Sequence, residues 1–519
     1  MGVAIAEAER PESIAGELRG ALNHTVIWGL GGILAKAISF LMLPYYTGYL
    51  NPTNMGILEI SDLSMSLLGM FLQMGIGAGI LRQYQSVSSP RARQELLSSA
   101  LFFTLIVGAL LAASGLLLAR PASAALLGPN VPWVYLYLSF TQLILGYVGT
   151  IPYSYLRAKQ ASRRLVALDM AGTMFLLLLT IVALSVLKLS ILGVLLSAPI
   201  CALTKLIVLI IWVRRDIRLT YNHARLRELL VFGAPLIFAN ATFFVLNFSD
   251  RFFLQRFQSL DAVGVYSVAY KFGFMLNFLL IQPFNMMWQA RMYMIYRRPD
   301  HEAVFGHVLV LYSTVLIFAA LGIALFSPNI MAVMVNAKYA GSVAIVPVIS
   351  LGYVFLGLGE YLQMGMFLTG RTSSMATMSS AVAALTLILN YELIPRFGIL
   401  GAAWATVAGF IALAIGSYWC SQRVLRLKLG MRRVILSLAM AFGIYLLSRK
   451  LRFPVPAADL VTKIALISIF PALLWMMRVF SNDDLAVLEE MKIDLGKTGR
   501  NILRPVWLRL VAAFGQSGM

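Results

Sequence analysis

Leu50-Asn-Pro-Thr-Asn-Met-Gly56 and Gln258-Ser-Leu-Asp-Ala-Val-Gly264 decide the fold of this 519-residue chain. Each is a short polar segment that passes through a glycine into a long apolar run, and the two glycines lie 208 residues apart. Ile191-Leu192-Gly193 and Ile399-Leu400-Gly401 repeat the pattern near the far ends of the same blocks, again 208 residues apart. Scattered identities arise by chance in an apolar chain, so the matched punctuation carries the argument. It predicts two halves of six membrane spans each, followed by two extra helices. Six is even, so both halves enter the membrane the same way. Their pseudo-twofold axis then runs along the membrane normal, with a site expected between the halves.

Composition agrees with a chain that lives in lipid. Hydrophobic residues make up 60% and charged residues 12%, against about half and about a quarter in a soluble domain. That excludes a large water-soluble enzyme, and the hydrophobicity excludes disorder. Cys201 and Cys420 are too few for a disulfide scaffold. The four histidines, His24, His223, His301 and His307, do not suggest a histidine-based centre. No metal, cofactor or catalytic residue is therefore expected.

A spanning helix needs about 20 apolar residues. Such windows fall at 26–47, 57–80, 96–119, 133–156, 165–187, 190–213, 229–250, 262–287, 304–326, 343–368, 373–392, 399–420, 434–448 and 460–477. The predicted fold is an all-α polytopic membrane protein of about fourteen transmembrane helices. Its segments are 1–23 (N-terminal, cytoplasmic), 24–215 and 216–428 (the six-helix lobes), 429–478 (two added helices) and 479–519 (a cytoplasmic tail). Glu7, Glu9, Glu12 and Glu17 put acid where a signal peptide would be basic. The loops after even-numbered spans, with both termini, hold 29 Lys and Arg, against 9 after odd-numbered spans. Positive charge marks the cytoplasmic side, so both termini are expected there. The net charge of +20 is then topological and calls for no nucleic acid.

A charge at the bilayer centre costs about 2.5–3.5 kcal/mol on insertion scales, so it faces a partner or a wet cavity. Lys36 stands roughly 18 Å into span 1 and Lys271 roughly 14 Å into span 8, counted from opposite faces of a core of about 30 Å. They therefore share a depth and sit in opposite halves. Two ammonium groups facing one cleft suit a pyrophosphate. The alternative for Lys36 is an ion pair with Asp62 on span 2. Lys205 in span 6 is a further candidate cargo contact, or snorkels to the headgroups. Lys463 reads as an interfacial anchor. Asp250-Arg251 at the end of span 7 reads as a gate or lobe-to-lobe ion pair, or as a solvated helix end. Glu360 in span 10 is a candidate proton site or a loop contact, and Asp169 reads similarly. Asn240, Asn247, Asn277, Gln282 and Asn285 place amides on spans 7 and 8, with Asn247 and Asn277 taken as candidate sugar contacts. Interhelical hydrogen bonding is the commoner use of such amides.

Several segments resemble a known family. Leu43-Pro-Tyr-Tyr-Thr-Gly-Tyr-Leu-Asn-Pro-Thr-Asn-Met-Gly-Ile-Leu-Glu-Ile resembles the end of helix 1 in bacterial polysaccharide flippases. Ser249-Asp-Arg-Phe-Phe-Leu with Leu260-Asp-Ala-Val-Gly-Val-Tyr-Ser-Val-Ala-Tyr is similar to their helix 7–8 junction. Tyr155-Leu-Arg-Ala-Lys-Gln, Leu368-Thr-Gly-Arg-Thr and Phe397-Gly-Ile-Leu-Gly-Ala-Ala resemble their loop landmarks. The family is the Wzx-type polysaccharide transporters, in the superfamily that also holds multidrug extruders and lipid II flippases. The resemblance implies two parallel, MATE-like six-helix lobes working by alternating access in the bacterial inner membrane. It implies a polyprenyl-pyrophosphate-linked oligosaccharide as cargo, membrane lipids around it, and a polysaccharide polymerase and co-polymerase as partners. In the lipid II branch, cations on helices 1 and 8 line the cavity, and Lys36 and Lys271 are the matching positions.

Three functions compete at this point. A flippase needs a water-filled cleft, because bare sugar hydroxyls cannot cross hydrocarbon. A cation-coupled drug antiporter of the sister branch would place acids in the cavity, whereas the mid-depth charges here are mainly lysines. A membrane transferase or polymerase would need a long, catalytically equipped outer loop, which the chain lacks. No Gly-x-x-x-x-Gly-Lys-Ser/Thr loop is present, so no ATP hydrolysis is expected.

Overall fold

In the computed structural model, the described residues are 38, 40–73, 75–87, 89–218, 220–451, 456–477 and 479–480. Among them there are helices and no strand. The α-helices are α1 (Leu43–Tyr49), α2 (Pro52–Gln73), α3 (Ile76–Ser86), α4 (Pro90–Leu126), α5 (Trp133–Ala158), α6 (Ser162–Ile181), α7 (Ser190–Val213) and α8 (His223–Phe257). They continue as α9 (Leu260–Leu276), α10 (Gln282–Tyr296), α11 (His301–Met334), α12 (Val346–Leu362), α13 (Met364–Leu368), α14 (Thr372–Val424), α15 (Met431–Lys450) and α16 (Pro456–Met476). Short π-helical turns extend α6 and join α9 to α10.

Among the described residues eleven helical segments are long and apolar enough to cross a membrane. The 53-residue α14 breaks at Gly398 (φ 56°), so it supplies two crossings. The 35-residue α8 is also long enough. Of the fourteen spans expected from hydropathy, the first, 26–47, lies mostly outside the described residues. Large apolar side chains such as Leu110, Leu117, Leu118, Ile207 and Ile211 stand exposed, as lipid-facing positions must.

The chain forms two compact units by its contacts. The first contains residues 1–271, 330–345 and 379–409. Its core packs Ile76, Ile80, Leu97, Leu101, Ile151, Tyr155, Leu165, Leu209, Val213 and Leu229, from α3 to α8. The same unit holds the matched landmarks. A Cβ on Gly56 would lie 1.9 Å from the Leu260 carbonyl oxygen, and one on Gly264 would lie 1.9 Å from the Pro52 carbonyl oxygen. Pro52 and Leu260 are themselves 208 residues apart, so the contact is reciprocal. Beside it Thr53 Oγ1 donates to Asp261 Oδ1 at 3.5 Å, across the same 208 residues. The starts of α2 and α9 therefore cross backbone to backbone on a local pseudo-twofold axis. Only glycine permits that approach. The helical hairpins repeat as well: Ser190 (φ 49°) and Gly398 (φ 56°) both take left-handed backbone at positions 208 apart.

The second unit contains residues 272–329, 346–378 and 410–519. An aromatic stack fills part of its interior, with Phe284 3.9 Å from Tyr312 and Trp288 5.1 Å from Tyr361, centroid to centroid. Within this unit α16 packs on α11 through Phe470 against Phe318 and through Lys463 Nζ, which donates to Asn329 Oδ1 at 2.6 Å. Lys463 also pairs with Asp459 at 2.7 Å.

The crossing yields a direct test. Gly56→Ala or Gly264→Ala forces a methyl into a backbone carbonyl, and overpacking of this kind costs about 1–3 kcal/mol. Each variant should lower the melting temperature of the detergent-solubilised protein. Gly443→Ala, where a Cβ meets nothing within 4 Å, should leave it level or raise it by the helix propensity of alanine, up to ~1 kcal/mol.

Candidate functional site

Helix α2 carries polar residues through an apolar span. Glu59, Asp62, Ser66 and Gln73, with Gly69 continuing the row, recur at intervals of three and four, which puts them on one face. That face borders two adjoining cavities of the first unit. The larger, of about 790 Å³, is lined by Asp62, Ser66, Gly69, Gln73, Ser139 and Gln142, together with apolar and glycine positions. The smaller, of about 210 Å³, is lined by Glu59, Asp62, Gln142, Tyr46, Thr180 and Lys271 among others. Asp62 and Gln142 belong to both walls. The larger volume falls within the ~300–1,000 Å³ typical of ligand sites. Span 2 is interrupted at its wall: α3 starts afresh after Gly75, whose φ is 61°.

Lys271 reaches the smaller cavity from α9, close enough to Asp62 to act on its charge. It makes no hydrogen bond to another described residue. Lys36, its expected companion, lies outside the described residues, and so does the alternative pairing of Lys36 with Asp62. The side chain of Asn240 is likewise outside them.

Asp250 and Arg251 are buried, at 2% and 1% exposure, so this helix end is not solvated. Arg251 Nη1 donates to Asp250 Oδ1 at 2.7 Å and to the Asn247 carbonyl oxygen at 2.6 Å. Tyr266 and Thr406 donate to Asp250 Oδ2 at 2.6 and 3.1 Å. The guanidinium lies 3.6 Å over the Tyr270 ring, and the Tyr270 hydroxyl donates to the Asn247 carbonyl oxygen at 2.9 Å. A buried arginine needs this many partners to offset desolvation. The network ties α8 to α9 and α14, and Arg251 Nε comes within 3.7 Å of Glu59 Oε1 on α2. Here the structure joins span 7 to the opposite sequence half.

The remaining candidates are engaged elsewhere. Lys205 Nζ pairs with Asp169 Oδ1 at 3.3 Å, and Tyr153 donates to Asp169 Oδ2 at 2.7 Å. The Asn247 amide donates to the Phe243 carbonyl oxygen at 3.0 Å within its own helix. Asn277 is buried in the π-turn after α9, where its Oδ1 accepts from Gln282 at 3.5 Å. In the second unit Glu360 accepts a short hydrogen bond from Asn285. Among the described residues no group of three or more His, Cys, Asp or Glu is placed to hold a metal ion.

Residues 21–288 match the model of a family described as polysaccharide biosynthesis protein. The chain is 25% identical over 220 residues to the uncharacterized membrane protein MJ1068 of Methanocaldococcus jannaschii, covering 40% of this chain and 42% of that one. It is 23% identical over 219 residues to the capsular polysaccharide biosynthesis protein CapF of Staphylococcus aureus, covering 40% and 54%. The chain spans about half the length of these curated relatives. Among solved structures it is similar to the lipid II flippase MurJ in an inward closed conformation, with TM-score 0.69, 13% identity, and 88% and 100% of the two chains covered. It is also similar to an inward-facing multidrug resistance MATE family transporter of the MOP superfamily, with TM-score 0.59, 12% identity, and 75% and 94% covered. The chain therefore has the fold of that superfamily, as the family resemblance implied.

Breaking a buried ion pair leaves its partner charged and unpaired, at about 3–5 kcal/mol. Arg251→Ala and Asp250→Ala should each destabilise the solubilised protein by that order. Tyr266→Phe, which removes one hydrogen bond to a charged group, should cost about 1–3 kcal/mol. The exposed Arg298–Asp300 pair offers the contrast: Asp300→Ala should leave stability close to that of the unaltered protein. Denaturant or thermal unfolding of the four variants measures the order.

Proposed function

Because the chain belongs to the polysaccharide biosynthesis protein family, we propose that it is a flippase for polyprenyl-pyrophosphate-linked oligosaccharide. It moves the repeat unit across the inner membrane of a bacterium by alternating access, and both termini face the cytoplasm. The observation that carries the reading is the pair of cavities at α2. A sugar headgroup needs a wet passage lined with hydroxyls, amides and charge, because each buried polar group without a partner costs free energy. Ser66, Gln73, Ser139 and Gln142 supply such groups, and Lys271 supplies a cation beside them. The polyprenyl tail stays in lipid. The moving bodies in this reading are the sequence halves 24–215 and 216–428, with 429–478 as an added helical pair. Lys36 joins Lys271 on the pyrophosphate, and a polymerase with its co-polymerase takes the delivered unit.

The acids in the wall favour a second reading. Among the described residues the larger cavity has Asp62 as its charged group, and the smaller adds Glu59 and Lys271. Lys205, counted with the lysines in the sequence, is paired with Asp169. A cation-coupled drug antiporter would use such acids, and a lipid II flippase would share the fold.

Cells decide between them. Without this protein, complete lipid-linked repeat units should accumulate on the cytoplasmic leaflet, as chemical analysis with a leaflet-accessibility probe reads. Lys36→Ala or Lys271→Ala should abolish polymer export while leaving the protein inserted, and Lys→Arg should keep part of the activity, since charge survives while geometry changes. Incomplete units would point to an enzyme. Rescue of Lys36→Ala by Asp62→Ala would return Lys36 to a structural ion pair. Normal polymer with lost resistance to lipophilic cations would favour the antiporter.

A further inference from the structure

We propose that Glu59 is the releasable latch of the transport cycle, the carboxylate that holds the two sequence halves together at the α2–α9 crossing and lets them part. The inference rests on the transport reading above. Three features of the first unit lead to it. Glu59 lies one turn along α2 from Gly56, where the backbones of α2 and α9 touch. It also lines the smaller cavity, one turn from Asp62 on the same face. Its Oε1 stands 3.7 Å from Arg251 Nε, an ion-pair distance outside hydrogen-bond reach. That nitrogen is buried and has no acceptor among the described residues.

The division of partners makes this contact separable. Arg251 keeps Asp250, the Asn247 carbonyl and the Tyr270 ring when Glu59 departs, so no bare cation is stranded. Glu59 lines the cavity and is half-buried where Asp250 is fully buried, so it is the carboxylate that solvent can reach. The Asp250–Arg251 bond is the opposite case, since parting it would leave two buried charges unpaired. At the crossing itself glycine meets backbone, and beside it Thr53 and Asp261 share one hydrogen bond of 3.5 Å, so parting the helices breaks polar contacts and leaves no interdigitated apolar side chain to repack. The groups facing Glu59 are Arg251 from α8, Lys271 from α9, Tyr46 from α1 and Asp62 from α2 itself. One end of the seam is thus closed by backbone contact, by hydrogen bonds such as Tyr339 to the Leu50 carbonyl oxygen at 3.1 Å and Thr53 to Asp261 at 3.5 Å, and by the Arg251–Glu59 ion pair, the charged contact among these.

The test places a reporter at the seam. Thr53→Cys and Asp261→Cys replace side chains that meet at 3.5 Å, in a protein whose Cys201 and Cys420 are changed to serine. Oxidation in native membranes should join them, stop polymer export, and be reversed by reductant. Adding Glu59→Gln should slow the cross-linking about fivefold, the factor that an ion pair of ~1 kcal/mol carries. Glu59→Asp should fall between, and size-exclusion profiles establish that both variants fold. Wild-type cross-linking rates in Glu59→Gln would overturn the latch. Undiminished export by the cross-linked protein would overturn it too, making the crossing a fixed fulcrum. Slowed cross-linking in a protein that moves no cargo would retain the latch and reject the transport reading.

Discussion

Two backbones touch where α2 and α9 begin, and much of the first unit is arranged around that contact. Gly56 meets the carbonyl of Leu260 and Gly264 meets the carbonyl of Pro52. Glycine at both positions is the condition, because a single methyl on either side would overlap a carbonyl oxygen. The crossing fixes the register of α2 against α9, and every later turn of α2 inherits it. Glu59 comes opposite Arg251, Asp62 comes within range of Lys271, and Ser66 and Gln73 open on the larger cavity.

Charge placement follows from the cost of leaving ions bare in a membrane. Asp250 and Arg251 neutralise each other inside a shell of tyrosine, threonine and backbone oxygen. Lys205 takes Asp169, Lys463 takes Asp459, and Glu360 takes the Asn285 amide. Asp62, Glu59 and Lys271 instead line the smaller cavity beside α2. In the proposed transport reading, that cavity is the polar passage for the cargo.

Much of this was legible in the sequence, for identifiable reasons. Hydropathy marks spans because the bilayer demands their length, and the 208-residue repeat marks the halves because each half needs the same turns. The glycines read as punctuation, yet nothing local says that two backbones touch there. The spans 373–392 and 399–420 leave 393–398 between them as a connection, whereas the helix runs on to Gly398 and turns there through a positive φ. Asp250-Arg251 stood at the edge of an apolar run and could be read as solvated. Its burial depends on Tyr266 and Thr406, 16 and 156 residues from Asp250, and separations of that kind leave no local trace. Glu59 was missed although its signal was present: the polar positions 59, 62, 66 and 73 have helical spacing in a span that lipid alone would make apolar.

The central claim is that this fold moves a lipid-linked oligosaccharide through the α2 cavity without changing it. Purified protein in liposomes, with no added nucleotide, tests that most directly. A polyprenyl-pyrophosphate oligosaccharide placed in one leaflet should become accessible from the other, unaltered in composition. The rate should fall sharply in Lys271→Ala and when the pyrophosphate is removed from the lipid. Translocation no faster than in protein-free vesicles, or a rate indifferent to Lys271, would contradict the account.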